Sequence, residues 1–460
     1  MRRRFRKVFN VVLVTLMLCS IITPHFIVLA DQEIAAVELP SWWAIEEISM
    51  VKIYELSDEE FFKDFKKGVT YEELNHLGVC LYTKLIDEKN HMESIGELKK
   101  LLDQKDELVT RRGVSLFLVN LIRLIDPTLM AEEQDEINYL VSQKILKGVS
   151  KDDLALDQYC SREEILTLIN RTYEFVVQET GGASQGLLWK VSDDNSSTYV
   201  LGSIHMADNR IYPFNKKIKE AYEKAAYLAV EANIVEDQEG IQYMVAKALY
   251  TDDNTLKDNV SAETYDHFVK KLEKHGLDSQ LFEKIKPWYA ALLVQGLEVT
   301  QDTIDPTLGI DHYFLSKAMG VKPIIEMEGL QFQVDLFDGF PLNIQEQFLA
   351  ASLVEAKPED HLQDAEQVVE YMLDLWKQGN ALEFERFLDT TKEAEENNEF
   401  NQKFWLERDK NMVNKIEEFL ADEENNTYFV VVGAGHLVGK TGVIQTLKDK
   451  GYQVEQVIEH

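Results

Sequence analysis

Cysteine is scarce in this chain: three in 460 residues, one of them, Cys19, inside the leading apolar stretch. Cys80 and Cys160 are left, too few for a disulfide framework, and the two alone make no zinc site. They either pair after export or stay as separate half-buried thiols. Positive charge is also short, with 48 Lys and Arg against 81 Asp and Glu and a formal net charge of −33. Such a surface repels phosphate backbones and anionic bilayers, which argues against nucleic acid and anionic membrane as partners. None of the ten histidines is followed by Glu, so the HExxH helix of common zinc proteases is absent. Beyond the leading segment, no apolar run is long enough to cross a bilayer.

What is present begins with an export signal. Arg2, Arg3, Arg4, Arg6 and Lys7 precede an apolar run from Val8 to Leu29, and Val28-Leu29-Ala30 ends it in the small-x-small style of a cleavage site. Residues 1–30 are thus expected to be a cleaved signal peptide or, since the run is long enough to span, an uncleaved signal anchor. The chain is expected outside the cytoplasm, secreted or held at the cell surface. Its length calls for two or three domains.

Residues 38–178 read as a smaller, mainly helical domain, with apolar residues at three- and four-residue spacing. Two pieces in it are alike, from Gly68 to Gly78 and from Gln158 to Leu168. Each has a capping Thr or Ser, an acidic first turn and then an apolar stripe. This pairing resembles the S-layer homology module, which implies attachment to a cell-wall polymer. Ser161-Arg162-Glu163-Glu164 fits that family's signature, whereas Thr70-Tyr71-Glu72-Glu73 lacks the basic residue, and two repeats stand where three are usual. A plain helical domain with capped helices remains the alternative. Residues 179–186, rich in Gly, Ser and Gln, read as a flexible linker.

From 187 to 460 the pattern is α/β, with a central sheet flanked by helices. A hairpin is expected from Leu187–Val191 and Thr198–Ile204, then strands at Tyr227–Ala232, Val321–Met327, Tyr428–Val432 and Tyr452–Val457. A long helical region is expected from Asn343 to Leu420. Two motif spellings are set aside. Gly182-Ala-Ser184-Gln-Gly186 matches the hydrolase elbow but lies between a helix and a strand, the reverse of what the elbow needs. Gly433 to Thr441 approaches a phosphate loop, but Ala434 stands where the first Gly of the spacing belongs.

The chemistry is expected at strand ends. Four expected strands lead into His205, Glu231, Glu328 and His436, and in open α/β sheets the carboxyl ends of strands line the ligand crevice. The histidines share a local form, Gly202-Ser-Ile-His205 and Gly433-Ala-Gly-His436, in which glycine lets the chain turn away tightly. Two imidazoles and one or two carboxylates suit a divalent Mn, Co or Zn ion. Such an ion acidifies water and polarises a carbonyl, with one Glu as general base.

At these residues the chain resembles the TraB/GumN (Tiki-like) family. The resemblance rests on Val200-Leu-Gly-Ser-Ile-His-Met206, Leu228-Ala-Val-Glu231, Gly309-Ile-Asp-His312, Ile325-Glu-Met-Glu328 and the closing Gly433-Ala-Gly-His436. Arg408 and Asn411 match an Arg-Asn segment, although Asp409 stands where Asn is common. The resemblance implies a Tiki-like fold and metal-dependent cleavage of a peptide or secreted protein. It makes His205, His436 and Glu231 metal ligands, and Glu231, Glu328, Asp311 and Arg408 catalytic, with Asp311 preferred to His312. The rival expectation, from a different class, is a non-catalytic module that sequesters a peptide signal or a haem-like ligand in the same crevice.

Overall fold

The computed structural model describes residues 38–86, 107–130, 135–151, 153–299, 304–353, 365–392 and 399–459. The expected export segment lies outside them. Among the described residues, no helix is long and apolar enough to cross a membrane. The chain divides between Ala183 and Ser184 into two compact units.

The first unit is helical. Three of its helices, Tyr71–Leu85, Arg111–Ile125 and Arg162–Glu179, open on Thr70, Thr110 and Ser161. Thr70 Oγ1 accepts from the Glu73 N–H, and Glu73 accepts in return from the Thr70 N–H, a reciprocal cap. The segments entering the helices bond in a closed ring: the Val69 N–H donates to Cys160, Cys160 to Val109, and Val109 back to Val69, each at 2.9 Å. The structure therefore holds three equivalent pieces where the sequence shows two. The first helical residue of one piece reaches the third of the next. Arg162 donates to Glu73 at 2.7 Å and Arg111 to Glu164 at 2.6 Å. In the remaining pairing the side chains are Tyr71 and Gly113, and a Cβ on Gly113 would lie 3.4 Å from the Tyr71 hydroxyl. The piece that opens on Thr110 keeps Arg111 but has Gly113 where the other two carry Glu, so half of its signature is missing. Both cysteines belong to this unit and both are free.

The second unit is built on one six-stranded sheet: β1 (Leu188–Ser192), β2 (Ser197–Ser203), β3 (Tyr227–Val230), β4 (Ile324–Glu326), β5 (Tyr428–Gly433) and β6 (Gln453–Gln456). Its order is β4-β3-β5-β2-β1-β6. The first four strands in that order run parallel, and β1 is antiparallel to both β2 and β6, so the sheet is mixed. The β5 run Tyr-Phe-Val-Val-Val-Gly is buried throughout, as a central parallel strand requires. Edge strand β6 alternates exposed Gln453 and Glu455 with half-buried positions, which blunts further pairing. One face packs an aromatic cluster in which Phe214 stacks on Phe314 and meets Trp376 edge-on, while Phe314 touches Phe429.

Three expectations change at this level. The strand expected from Val321 begins at Ile324, because Gly320 at φ +67° turns the preceding helix off and Val321 and Lys322 bond back to Ala318. The helical region from Asn343 resolves into separate helices, including Ala365–Lys377 and Ala381–Lys392, with Gly379 at φ +67° between those two. Ser184 is no free linker residue. It is fully buried, its N–H donates to Pro213 and its carbonyl accepts from Asn215.

Candidate functional site

The register puts the carboxyl ends of the parallel strands side by side. Ser203 of β2 pairs with Gly433 of β5, Val230 of β3 with Val431, and Val230 with Glu326 of β4. His205, Glu231, Glu328 and His436 all follow within three residues of those ends, so one edge of the sheet delivers all four. β5 sits between β2 and β3, which makes the two histidine turns neighbours. They approach closely. A Cβ on Gly202 would stand 3.0 Å from the Ala434 Cα, a contact a larger residue could not make.

His205 is buried, and its Nδ1 lies 3.0 Å from Asp311 Oδ1. Asp311 arrives at the start of the helix Ile310–Ala318. That helix abuts the β2 turn because residue 309 is glycine: a Cβ there would fall 2.2 Å from the His205 carbonyl oxygen. The Ser203 hydroxyl donates to Asp311 Oδ1 at 2.9 Å and accepts from the Asp311 N–H at 3.2 Å, which fixes the carboxylate. Burial works against charge on His205, but the Asp311 carboxylate, with help from Glu231, outweighs it and raises the imidazole pKa. Burial likewise opposes charge on Asp311, and the facing His205 and the Ser203 hydroxyl lower its pKa all the same. His205 Nε2 is buried with no hydrogen-bond partner among the described residues.

His436 repeats the design. It is fully buried, and its Nδ1 lies 2.5 Å from Asp409 Oδ1, also buried. Trp405 packs on the ring at 4.9 Å between centroids. Asp409 sits in the first turn of the helix Arg408–Leu420, directly after a π-helical turn over Gln402–Glu407. A π-turn re-aims the side chains that follow it, a common device at functional sites.

Beside the two dyads, at the ends of β3 and β4, lies a buried ion cluster. Arg408 Nε and Nη2 each donate to Glu328 at 2.8 Å, and Nη2 also donates to Glu231 at 2.6 Å. The Gly433 N–H donates to the other Glu231 oxygen at 2.6 Å, tying the end of β5 to the end of β3. Gln333 Nε2 bridges both glutamates at 3.2 and 3.3 Å. Burial acts to depress the Arg408 pKa, but Glu328 and Glu231 reverse the effect and hold it above its ordinary value. Every oxygen of Glu231 and Glu328 thus accepts a hydrogen bond, and Arg408 Nη1 is the arm the carboxylates leave.

The structure thus gathers His205, Asp311, Glu231, Glu328, Arg408 and His436 at one sheet edge. His312 is not among them; it is half-buried, with its Nδ1 3.5 Å from the Ser316 hydroxyl. Two participants escaped the sequence reading. Asp409 had registered only as a departure from a motif, and its local signal was adjacency to Arg408. Gln333, five residues beyond Glu328, bonds both glutamates through one amide nitrogen, a role that no local pattern announces.

A buried, unpartnered Nε2 on an imidazole whose Nδ1 faces a carboxylate is the donor pattern of a metal-ligating histidine. Around the site stand four buried acidic side chains, Asp311, Asp409, Glu231 and Glu328, against one guanidinium and two imidazoles, an acidic surplus that suits a cation. The donor types suit a divalent ion. Ligand atoms of His205, His436 and Glu231 do not all fall within 4.8 Å of one another; among the described residues that spacing is met by Asp58, His76 and Cys80.

The sequence model of the TraB/PrgY/gumN family matches residues 187–456. Over 148 residues the chain is 24% identical to the uncharacterized protein YbaP of Shigella flexneri, and likewise to YbaP of Escherichia coli strain K12. The matched stretch covers 32% of this chain, which spans about half (54%) of the length of those curated relatives. No solved structure gives a significant match. The family match runs from the first strand of the sheet to the last and covers more than half of the residues, and the chain belongs to the TraB/PrgY/gumN family.

Proposed function

We propose that the second unit is a divalent-metal-dependent peptidase acting outside the cytoplasm on a peptide or a secreted protein. The observation that carries the reading is the pair of carboxylate-backed imidazoles on adjacent parallel strands, one with a buried unpartnered Nε2. His205 and His436 are the proposed ligands of Mn, Co or Zn, and Asp311 and Asp409 orient them. Such an ion supplies polarisation of a peptide carbonyl and acidification of water.

The chain's own residues supply the rest. Water adds its oxygen to the carbonyl carbon, its proton passes to Glu231 and then to the leaving amine, and the C–N bond breaks. Glu231 Oε2 already accepts from Arg408 and Gln333, whereas Oε1 accepts only from the Gly433 N–H and keeps a lone pair for that proton. Protonation weakens the hold of Glu231 on Arg408, whose guanidinium is the group suited to meet the developing oxyanion. Glu328 keeps hold of Arg408 through two further bonds while this happens.

The hydrogen bonds that already engage every oxygen of both glutamates favour a second reading, a module that captures a peptide or haem-like ligand without cutting it. Incubating the protein with a peptide library, with Mn, Co and Zn added in turn, separates the two. The peptidase reading expects metal-stimulated cleavage that vanishes in His205→Ala and in His436→Ala. Cleavage surviving both substitutions, or peptides retained intact at every metal, removes it. For the first unit, the closed ring of three capped helices supports attachment to a cell-wall polymer, tested by retention on purified wall.

A further inference from the structure

The helical unit brings together three ligand types that the sequence leaves eighteen and four residues apart. His76 and Cys80 sit one turn apart on the helix Tyr71–Leu85, so their side chains share a face. Asp58 precedes the short turn Glu59–Phe61, whose Phe61 ring lies parallel to the His76 ring at 5.8 Å and sets its orientation. His76 Nε2 is 2.7 Å from Asp58 Oδ2 and 3.8 Å from Cys80 Sγ. All three ligand atoms fall within 4.8 Å of one another, and the group is exposed to half-buried, so an ion can reach it.

The geometry points to a second metal site, in which Asp58, His76 and Cys80 hold a borderline-soft divalent ion of the zinc class with its fourth position open. With ligand bonds of about 2.0–2.3 Å, tetrahedral zinc places sulfur and nitrogen roughly 3.5 Å apart, close to the separation found. The Asp58–His76 distance is that of a hydrogen bond, and an ion displaces the shared proton. The Asp58 side chain is 61% exposed and free to retreat the roughly 0.7 Å that tetrahedral zinc requires. Thiolate with imidazole selects zinc, cobalt or copper over magnesium and calcium. Binding releases the thiol proton to solvent. The site at the sheet edge contains no sulfur, so the two sites differ in chemistry as well as place.

That difference supplies the test. Cobalt(II) bound to a thiolate gives an intense near-ultraviolet charge-transfer band, to which a site of imidazole and carboxylate cannot contribute. The full chain, kept reduced with a non-thiol reductant, is titrated with cobalt and then back-titrated with zinc. The band is expected to saturate at one equivalent and to be abolished by zinc. It is expected to be lost in Cys80→Ser and weakened by more than about tenfold in cobalt affinity in His76→Ala and Asp58→Asn. Far-UV circular dichroism and the thermal midpoint should stay unchanged in all three, since each side chain is partly solvent-exposed. No band in the folded wild-type chain, or a band of equal affinity in His76→Ala, overturns the assignment.

Discussion

Replacing Arg408 by methionine strands two carboxylates in the interior. The Arg408 side chain is 3% exposed, and those of Glu231 and Glu328 are 6% and 3%. Three charge-assisted hydrogen bonds disappear, and what dominates the loss is the uncompensated charge left behind. Breaking a buried ion pair from one side costs about 3–5 kcal/mol. At roughly 2–4 °C per kcal/mol for a unit of this size, the midpoint falls by about 6–20 °C. Scanning calorimetry of the full chain measures it. Acidifying the buffer, which protonates the stranded carboxylates, should recover part of the loss. The triple variant Arg408→Met/Glu231→Gln/Glu328→Gln, which strands no charge, should lose less than half as much as the single one. A shift within about 2 °C for Arg408→Met, or a triple variant worse than the single one, refutes the reasoning.

Further consequences concern pH and packing. In the metal-free protein the His205–Asp311 pair contributes stability fully between about pH 4 and 6.5. It is lost as pH rises through the raised His205 pKa and, at the other end, as pH falls through the lowered Asp311 pKa. In Asp311→Asn burial acts with less opposition and the His205 titration moves down; an unmoved NMR titration contradicts this. In the helical unit, burial opposes ionisation of Glu73, yet hydrogen bonds from Arg162, Thr70 and Lys67 hold its pKa at about 2. Its stabilisation is present above pH about 4.5 and fades towards 2, and partial solvent exposure limits it to about 1–2 kcal/mol. The stability gap between wild type and Glu73→Gln in urea should therefore shrink from pH 7 to pH 3, and an unchanged gap counts against the contact. Gly309→Ala forces a Cβ towards the His205 carbonyl and should cost about 1–3 kcal/mol, with loss of activity; a neutral outcome contradicts the close approach.

The four parallel strands were legible because each carries a run of apolar residues that leads into a glycine or a polar residue. The convergence of His205, Glu231, Glu328 and His436 followed from strand order alone. The partnerships were not legible. Arg408 meets Glu231 across 177 positions of sequence, and no local pattern ties Asp409 to His436. A carboxylate at a strand end reads as a ligand or base until the guanidinium that saturates it is seen. The third helical repeat escaped for a related reason: it keeps Arg111, but Gly113 stands where Glu73 and Glu164 mark the other two, so the piece keeps the backbone bonds and loses half of the signature.

The reading depends most on whether His205 and His436 share one ion. Anomalous diffraction from crystals soaked in Mn, Co or Zn, collected at the absorption edge of each, addresses this directly. One peak is expected at the ends of β2 and β5, bonded to Nε2 of both imidazoles and absent from His205→Ala. A peak bonded to one histidine alone, or density at that edge only for Arg408 and its glutamates, contradicts it.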